Sequence, residues 1–153
     1  MTKHSLAIED IINCKAGDVL ATLTMPAVTM TQLAFYCAAS GVTDPIHYDR
    51  EFARRAGFLD VVVNGSLRVA WMAQILNDLV ALSGFLERMN CSHRGVMLVG
   101  TAPHFEVRHQ SHRSAPDGSV LVEIKVSVTA ASNICDVGEA TLRLMPTWEA
   151  AKE

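Results

Sequence analysis

The chain has 153 residues, 50 % of them hydrophobic and 19 % charged, which suits one folded domain and excludes a disordered or fibrous chain. A formal net charge of −3 without a basic stripe argues against nucleic acid as a partner. Mean hydropathy is +0.22, but the sequence has no apolar run near the ~18 residues that span a bilayer, so we expect no membrane association. We therefore expect the surplus apolar surface to lie in a core, a partner interface or a ligand tunnel.

The N-terminal residues and the cysteines indicate a reducing, cytoplasmic location. Residues 1–12 mix charged side chains with apolar ones and lack the continuous hydrophobic stretch of a secretory signal. The cysteines are far apart and show no C-x-x-C spacing, so we expect reduced, mostly buried thiols and no zinc site at Cys14, Cys37, Cys91 and Cys135.

The first third of the chain predicts a strand followed by two helices. Gly17 to Val28 alternates as a strand does. A helix follows from a capping box that starts at Thr29, and Gly41 is placed to end it. After a loop that contains a proline, a second short helix is predicted from an Asp49 cap to Gly57.

The middle of the chain predicts a long central helix. A brief β-branched run, Asp60 to Val63, precedes it, and Ser66 is its expected N-cap. From Leu67 to Leu82 the pattern is apolar nearly all round, which is typical of a buried helix that other elements surround.

The second half of the chain predicts strands, at Gly95–Gly100, Phe105–Gln110, Val120–Thr129 and Glu139–Met145. The third of them has the clearest alternation of apolar and polar residues, so one face is packed and the other is wet. An early strand, a central helix and a later run of antiparallel strands predict a single α+β domain over residues 1–153, in which a curved sheet wraps one helix.

Three motifs resemble the MaoC-like hot-dog hydratases and dehydratases: Asp44-Pro45-Ile46-His47-Tyr48-Asp49, Ala56-Gly57-Phe58 and Val63-Asn64-Gly65-Ser66-Leu67. The family's hallmark is Asn-Pro-(Leu/Ile)-His, followed further along by His-Gly and the central helix. The resemblance covers residues 17–145 in order of elements. It implies a hot-dog fold, a dimer or double hot-dog, and addition or removal of water at an acyl thioester of coenzyme A or acyl carrier protein.

The resemblance also implies which residues act. His47 occupies the position of the histidine that holds the catalytic water together with an aspartate, and the Gly65 amide occupies the position of the donor that polarises the thioester carbonyl. Val42 stands where the family's acid usually lies, and Asn64 stands where the family has a histidine. Asp44, three residues before His47, is the carboxylate that we expect to orient the imidazole or share its proton.

Further residues are candidates for substrate binding, each with a plain structural alternative. Asn64 and Ser66 would contact the thioester, or serve only as a turn and a cap. Arg108 and Arg113 would form a rim for coenzyme A phosphates, or a solvated strand face or oligomer interface. No metal is predicted, because spacings of five and three point the side chains in different directions at His104, His109 and His112. No separate cofactor is expected, since coenzyme A is part of the substrate.

Three functions stay open. The first is an enoyl-thioester hydratase, or the reverse 3-hydroxyacyl dehydratase, that acts on an acyl-CoA through His47, Asp44 and the helix-start amide. The second is a non-catalytic hot-dog subunit that pairs with an active MaoC-like partner, which Val42 favours. The third is a thioesterase, whose candidate carboxylate and nucleophile are Asp78 and Ser66.

We expect a homodimer or a heteromer, because a lone protomer leaves a sheet edge exposed. His47 and Asp44 also have plain readings, as a loop histidine and a turn former.

Overall fold

The computed structural model describes residues 7–145, so residues 1–6 and 146–153 lie outside the described range. The prediction of a cytoplasmic location rests partly on residues 1–6. Its elements in chain order are α1 (Ile8–Ile12), β1 (Val19–Thr24), α2 (Met30–Ser40), a 3₁₀ turn (Pro45–His47), α3 (Arg50–Arg55), α4 (Gly65–Val80), a second 3₁₀ turn (Ala81–Ser83), β2 (Gly84–His93), β3 (His104–Ser114), β4 (Val120–Ala130) and β5 (Asn133–Leu144). None of the helices in this range has the length and apolarity to cross a membrane.

The five strands form one antiparallel sheet in the order β1-β3-β4-β5-β2. The long strands β3, β4 and β5 make its centre, and β1 and β2 are its edges. Every second residue of β4 from Val122 to Val128 is buried, as the alternation predicts. One face of the sheet therefore supplies the floor of the core.

Helix α4 packs on this face and supplies a large part of the remaining core. Its buried apolar side chains recur with helical spacing, at Leu67, Trp71, Met72, Leu76 and Leu79. The opposite side of the helix is exposed at Ala70, Gln74 and Asn77, so the helix is covered by the sheet on one side and is not enclosed all round as expected. A five-stranded antiparallel sheet packed on one long helix confirms the predicted hot-dog fold.

The predicted caps of α2 and α3 are confirmed. The Thr29 hydroxyl accepts a hydrogen bond from the Gln32 amide at 3.1 Å, and Gly41 ends α2 with a left-handed φ of 69°. The Asp49 carboxylate accepts from the Phe52 amide at 2.9 Å and starts α3. These signals depend on neighbouring residues alone, so the sequence reveals them.

Several boundaries are corrected by the structure. The segment predicted as a strand at Gly95–Gly100 carries an isolated bridge between Val62 and Leu98, and β2 (Gly84–His93) is the strand that the pattern did not reveal. One face of β2 packs partly against the core, at Leu86, Met89 and Cys91, but a bulge between Leu86 and Arg88 shifts the alternation by one residue and hides it in the sequence. Helix α4 begins at Gly65, with Asn64 as its N-cap, so Ser66 lies inside the first turn and is not the cap.

Candidate functional site

Residues 61–65 lead into the start of α4 and are fixed by backbone hydrogen bonds. The Val63 amide donates to the Met97 carbonyl at 2.8 Å, and the Val62 amide donates to the Ile46 carbonyl at 3.0 Å. Residues 61–64 are buried. The start of α4 is therefore held rigidly against the turn that carries His47.

His47 is oriented by this same segment. Its Nδ1 lies 2.8 Å from the Val62 carbonyl oxygen and, since a carbonyl can only accept, Nδ1 carries the ring proton. That tautomer leaves Nε2 as a proton acceptor. The ring is half-buried, at the end of the 3₁₀ turn Pro45–His47.

Asp44 has a structural task, and this corrects the expectation that it orients His47. Its Oδ1 accepts a hydrogen bond from the Ile46 amide at 3.1 Å and caps the 3₁₀ turn. The Asp44 side chain is exposed and, within residues 7–145, makes no hydrogen bond with the His47 ring. The Val62 carbonyl orients the imidazole in its place.

We expect Asp44→Ala to lower the free energy of unfolding by about 1 kcal/mol, because the cap is lost, and Asp44→Ser to lose little, because a capping oxygen remains. Turnover by the serine variant should stay within a few-fold of wild type. Urea denaturation and an enoyl-CoA assay measure the two effects. A loss of about 100-fold in the serine variant would instead show that the carboxylate takes part in the reaction.

A second histidine, His93, lies at the start of α4. Its Nε2 is 2.7 Å from the position that a Cβ on Gly65 would occupy, so only glycine fits there without displacing the ring. Its Nδ1 lies 2.5 Å from Oδ1 of Asp136, whose side chain is fully buried. The pairing of β2 with β5 sets His93 opposite Asp136.

Arg68, on the first turns of α4, completes this cluster. Its buried guanidinium lies 3.3 Å from Asp136 Oδ2, donates to the Gly95 carbonyl at 3.0 Å, and approaches His93 Nδ1 to 3.2 Å. Nδ1 cannot both accept from Arg68 and donate to Asp136, and the shorter contact, to the carboxylate, places the proton on Nδ1. His93 Nε2 is then a proton acceptor, as His47 Nε2 is.

The sequence did not point to this cluster, which we call the Arg68–His93–Asp136 cluster. Its members come from α4, β2 and β5 and lie 25 to 68 positions apart in the chain. Only the strand register and the packing of α4 bring them together. A polar residue, Arg68, on an otherwise apolar stretch of helix was the one local signal.

Cys91, His93 and Asp136 also offer three ligand atoms within 4.8 Å of one another. The Arg68 guanidinium already places a positive charge against two of these groups, which opposes a metal cation there. Burial, with a smaller contribution from Asp136, raises the pKa of the Cys91 thiol, whereas a metal ligand must be a thiolate. The cluster suits proton chemistry better than metal binding.

Of the four predicted substrate contacts, Asn64 and Ser66 flank Gly65, the first residue of α4. Ser66 is exposed in the first turn of α4. Asn64 is 1 % exposed, and its side-chain amide contacts Cys37 Sγ on α2 at 3.7–3.8 Å, so it faces the interior. Asn64 thus ties α2 to the start of α4 and does not present its side chain to a substrate.

The two predicted arginines lie away from this group. Both guanidinium Nε and Nη2 of Arg108 donate to the Glu106 carboxylate, at 2.7 and 2.8 Å. Arg113 pairs with Leu121 on β4, whereas Asp136 pairs with Val128, and these two β4 residues are about 23 Å apart at the usual strand rise. The structure therefore does not bring either guanidinium to Gly65. His104 is bonded to Thr24 at 2.8 Å, apart from the pair of His109 and His112.

An open cleft of about 440 Å³ lies between α2 and the turn that follows it. Mostly small and apolar side chains line it, among them Ala34, Cys37, Ala38, Val42, Thr43 and Tyr48. Val42, the residue at the family's acid position, faces this cleft, and Cys37 connects it to Asn64. The cleft can take an apolar chain.

Acid should weaken the ion pair between Arg50 on α3 and Asp60, the residue that precedes the buried segment 61–64. A hydrogen bond from the Val61 amide, and then the Arg50 guanidinium at 2.8 Å, hold the pKa of the Asp60 carboxyl below its usual range. A lowered folded-state pKa gives stability that is present above the unfolded-state pKa and is lost as the pH falls through the lowered value. We expect Asp60→Asn to cost at most about 1 kcal/mol at pH 7, with the difference from wild type vanishing in acid. Urea denaturation at several pH values measures this, and a pH-independent difference would contradict it.

The sequence matches the family model of the "MaoC like domain" over residues 15–132, which is more than half of the chain. No curated protein sequence matches at a significant level. The part of the chain that matches the family model includes the turn with His47 and the whole of α4.

Solved structures with the same fold include three at high coverage. The (R)-hydratase from A. caviae involved in PHA biosynthesis has a TM-score of 0.75 and 20 % identity, over 88 % of this chain and 98 % of that one. The ChsH1-ChsH2 complex from Mycobacterium tuberculosis has a TM-score of 0.75 and 16 % identity, over 85 % and 98 %. The truncated HadBC (3R-hydroxyacyl-ACP dehydratase) complex from the same organism has a TM-score of 0.68 and 14 % identity, over 86 % and 98 %. At these identities the likeness establishes the fold.

Proposed function

The chain belongs to the MaoC-like domain family, and we propose that it is an enoyl-thioester hydratase, or the reverse 3-hydroxyacyl dehydratase, that acts on an acyl-CoA. The observation that carries the proposal is the His47 ring, held by the Val62 carbonyl with Nε2 left as an acceptor, beside the segment that starts α4. An imidazole with an open Nε2 lone pair suits the removal of a proton from water.

The start of α4 supports stabilisation of the developing negative charge. Gly65 is the first residue of the helix, where backbone N–H groups lack helical partners and the helix dipole is positive. The thioester carbonyl gains enolate character when hydroxide adds to C3. A donor at this position is worth ~10²–10³ in rate in other enzymes. We place the thioester oxygen at the Gly65 amide and the acyl chain towards the apolar cleft.

The second candidate is a subunit that pairs with an active hot-dog partner. Val42 replaces the family's acid, and the Asp44 carboxylate is used as a cap, so among residues 7–145 no carboxylate is hydrogen-bonded to the His47 ring. Two of the similar structures are described as complexes of two named components. The edge strand β2 and the exposed Phe85 on it offer a surface for pairing, with itself or with a second hot-dog subunit.

Purified protein offered short, branched and bulky 2-enoyl-CoA thioesters tests the proposal. We expect loss of the enone absorbance and a stable homodimer in solution. Absence of turnover with every thioester would contradict the single-chain enzyme and favour the subunit. Co-expression with a hot-dog protein encoded nearby, followed by the same assay, then tests the subunit: activity that appears only in the complex supports it. Release of free thiol from an acyl-CoA would instead indicate a thioesterase.

A further inference from the structure

The Arg68–His93–Asp136 cluster has no part in the mechanism proposed so far, yet its buried charges are energetically unfavourable. Arg68 and Asp136 are 6 % and 0 % exposed at their side chains, and a buried ion pair is seldom more stable than apolar residues of the same volume. Within residues 7–145, Arg68 Nε and Asp136 Oδ2 make no hydrogen bond, although Oδ2 is within ion-pair distance of Arg68. Each such buried atom has lost its hydration without gaining a hydrogen bond in exchange. Groups retained at this cost are concentrated at functional sites.

The part of the cluster that reaches solvent is the His93 ring. Its side chain is 47 % exposed, whereas Asp136 behind it is fully buried. The carboxylate fixes the ring orientation, Arg68 balances the carboxylate's charge, and Nε2 of the ring is turned to Gly65. A buried aspartate behind an exposed histidine is an arrangement that serves proton acceptance.

Both histidines are attached to one short stretch of chain. His47 bonds the Val62 carbonyl, and His93 Nε2 touches Gly65. Val62 and Gly65 are three positions apart, a span of at most about 10 Å. Both imidazoles therefore lie against the short segment that carries the amide at which we place the thioester oxygen.

We propose that His93 is a second catalytic residue of this site, which holds the reacting water together with His47 and fills the role that Val42 leaves open. This inference rests on the proposed hydratase function. Water donates one hydrogen bond to each Nε2 and directs its oxygen to C3 of the enoyl thioester. As the C3–O bond forms, His47 takes one proton of the water and returns it to C2, and His93 keeps the hydrogen bond to the new hydroxyl. The product gains one H and one OH, and both rings end as they began.

The experiment compares His93→Ala and His93→Gln with wild type on crotonyl-CoA and on the enoyl-CoA that wild type turns over fastest. We expect kcat to fall about 10²-fold, the cost of losing the position of a reacting group, with KM within about three-fold. His112→Ala is the matched control, because His112 is an exposed histidine on β3 beyond the cluster, and it should keep wild-type kcat. Far-UV circular dichroism establishes that each variant is folded.

A second measurement tests the dyad without turnover. The Nδ1 proton of His93, bonded to a carboxylate, should give a downfield proton resonance that is present in wild type and lost in Asp136→Asn and in His93→Gln. Absence of that resonance in wild type overturns the arrangement on which the inference depends.

The outcomes separate the two proposals. Wild-type kcat in both His93 variants, with activity lost in His47→Ala, overturns the role of His93 and leaves the hydratase function standing. An equal loss in His112→Ala also overturns it, since the effect is then not specific to the site. No turnover of any enoyl-CoA by wild type overturns the function and this inference with it.

Discussion

Replacement of His47 by alanine is expected to reduce turnover of an enoyl-CoA by about 10²- to 10⁴-fold, the range that loss of a general base costs. The ring is half-buried and bonded through Nδ1 to the Val62 carbonyl, so its Nε2 has a fixed direction and an open lone pair. Alanine removes the acceptor and leaves the backbone bond from the Val62 amide to Ile46 in place. The start of α4 should therefore keep its position.

Steady-state kinetics measure this effect, and the split between the constants identifies its origin. A base that acts only in the chemical step lowers kcat and kcat/KM together, whereas a lost contact to bound substrate raises KM. His112→Ala is again the matched control and should match wild type. If His47→Ala kept full turnover, His47 would be a structural loop residue and the assignment would fail.

Removal of the buried carboxylate should have the largest effect on stability. Asp136→Leu leaves the Arg68 guanidinium buried without its counter-charge, and breaking such a pair costs about 3–5 kcal/mol of unfolding free energy. Replacement of both members by apolar residues, Arg68→Met with Asp136→Leu, should recover most of that loss, because no uncompensated charge remains. The double variant should be stable but impaired in turnover, since His93 has lost its support.

Urea denaturation of the two single variants and the double variant measures these differences. Glu139→Leu provides the control, as Glu139 is an exposed carboxylate on the same strand and its loss should change stability by less than about 0.5 kcal/mol. A double variant as unstable as Asp136→Leu would contradict the explanation by an uncompensated charge. Destabilisation would then have to arise from packing around residue 136.

The functional alternatives differ in what surrounds His47. The missing acid at Val42 favours a subunit when His47 is considered alone, because water is then held by one side chain. The His93–Asp136 pair beside Gly65 weakens that argument, since it offers a second acceptor from another part of the chain. Turnover by the wild-type chain alone that is lost in both histidine variants therefore favours the enzyme over the subunit.

Features that depend on neighbouring residues were predicted from the sequence. The Thr29 and Asp49 caps and the Gly41 stop are local hydrogen-bond and dihedral requirements, and each appears in the structure. The alternation of β4 follows from a strand with one buried face. The edge strand β2 was missed because its inner face is only partly buried and a bulge between Leu86 and Arg88 shifts its alternation by one residue.

By itself, the sequence determined the α+β class and the central helix, because periodicity is a property of short stretches of chain, and its resemblance to a known family added the hot-dog fold and the prediction that His47 and Gly65 act. Only the tertiary structure decided which groups meet. It assigned the Asp44 carboxylate to a cap and turned Asn64 inward. It also brought Arg68, His93 and Asp136 together, through the register of β2 with β5 and the packing of α4. Contacts between distant segments depend on register and on packing, and no local pattern encodes either.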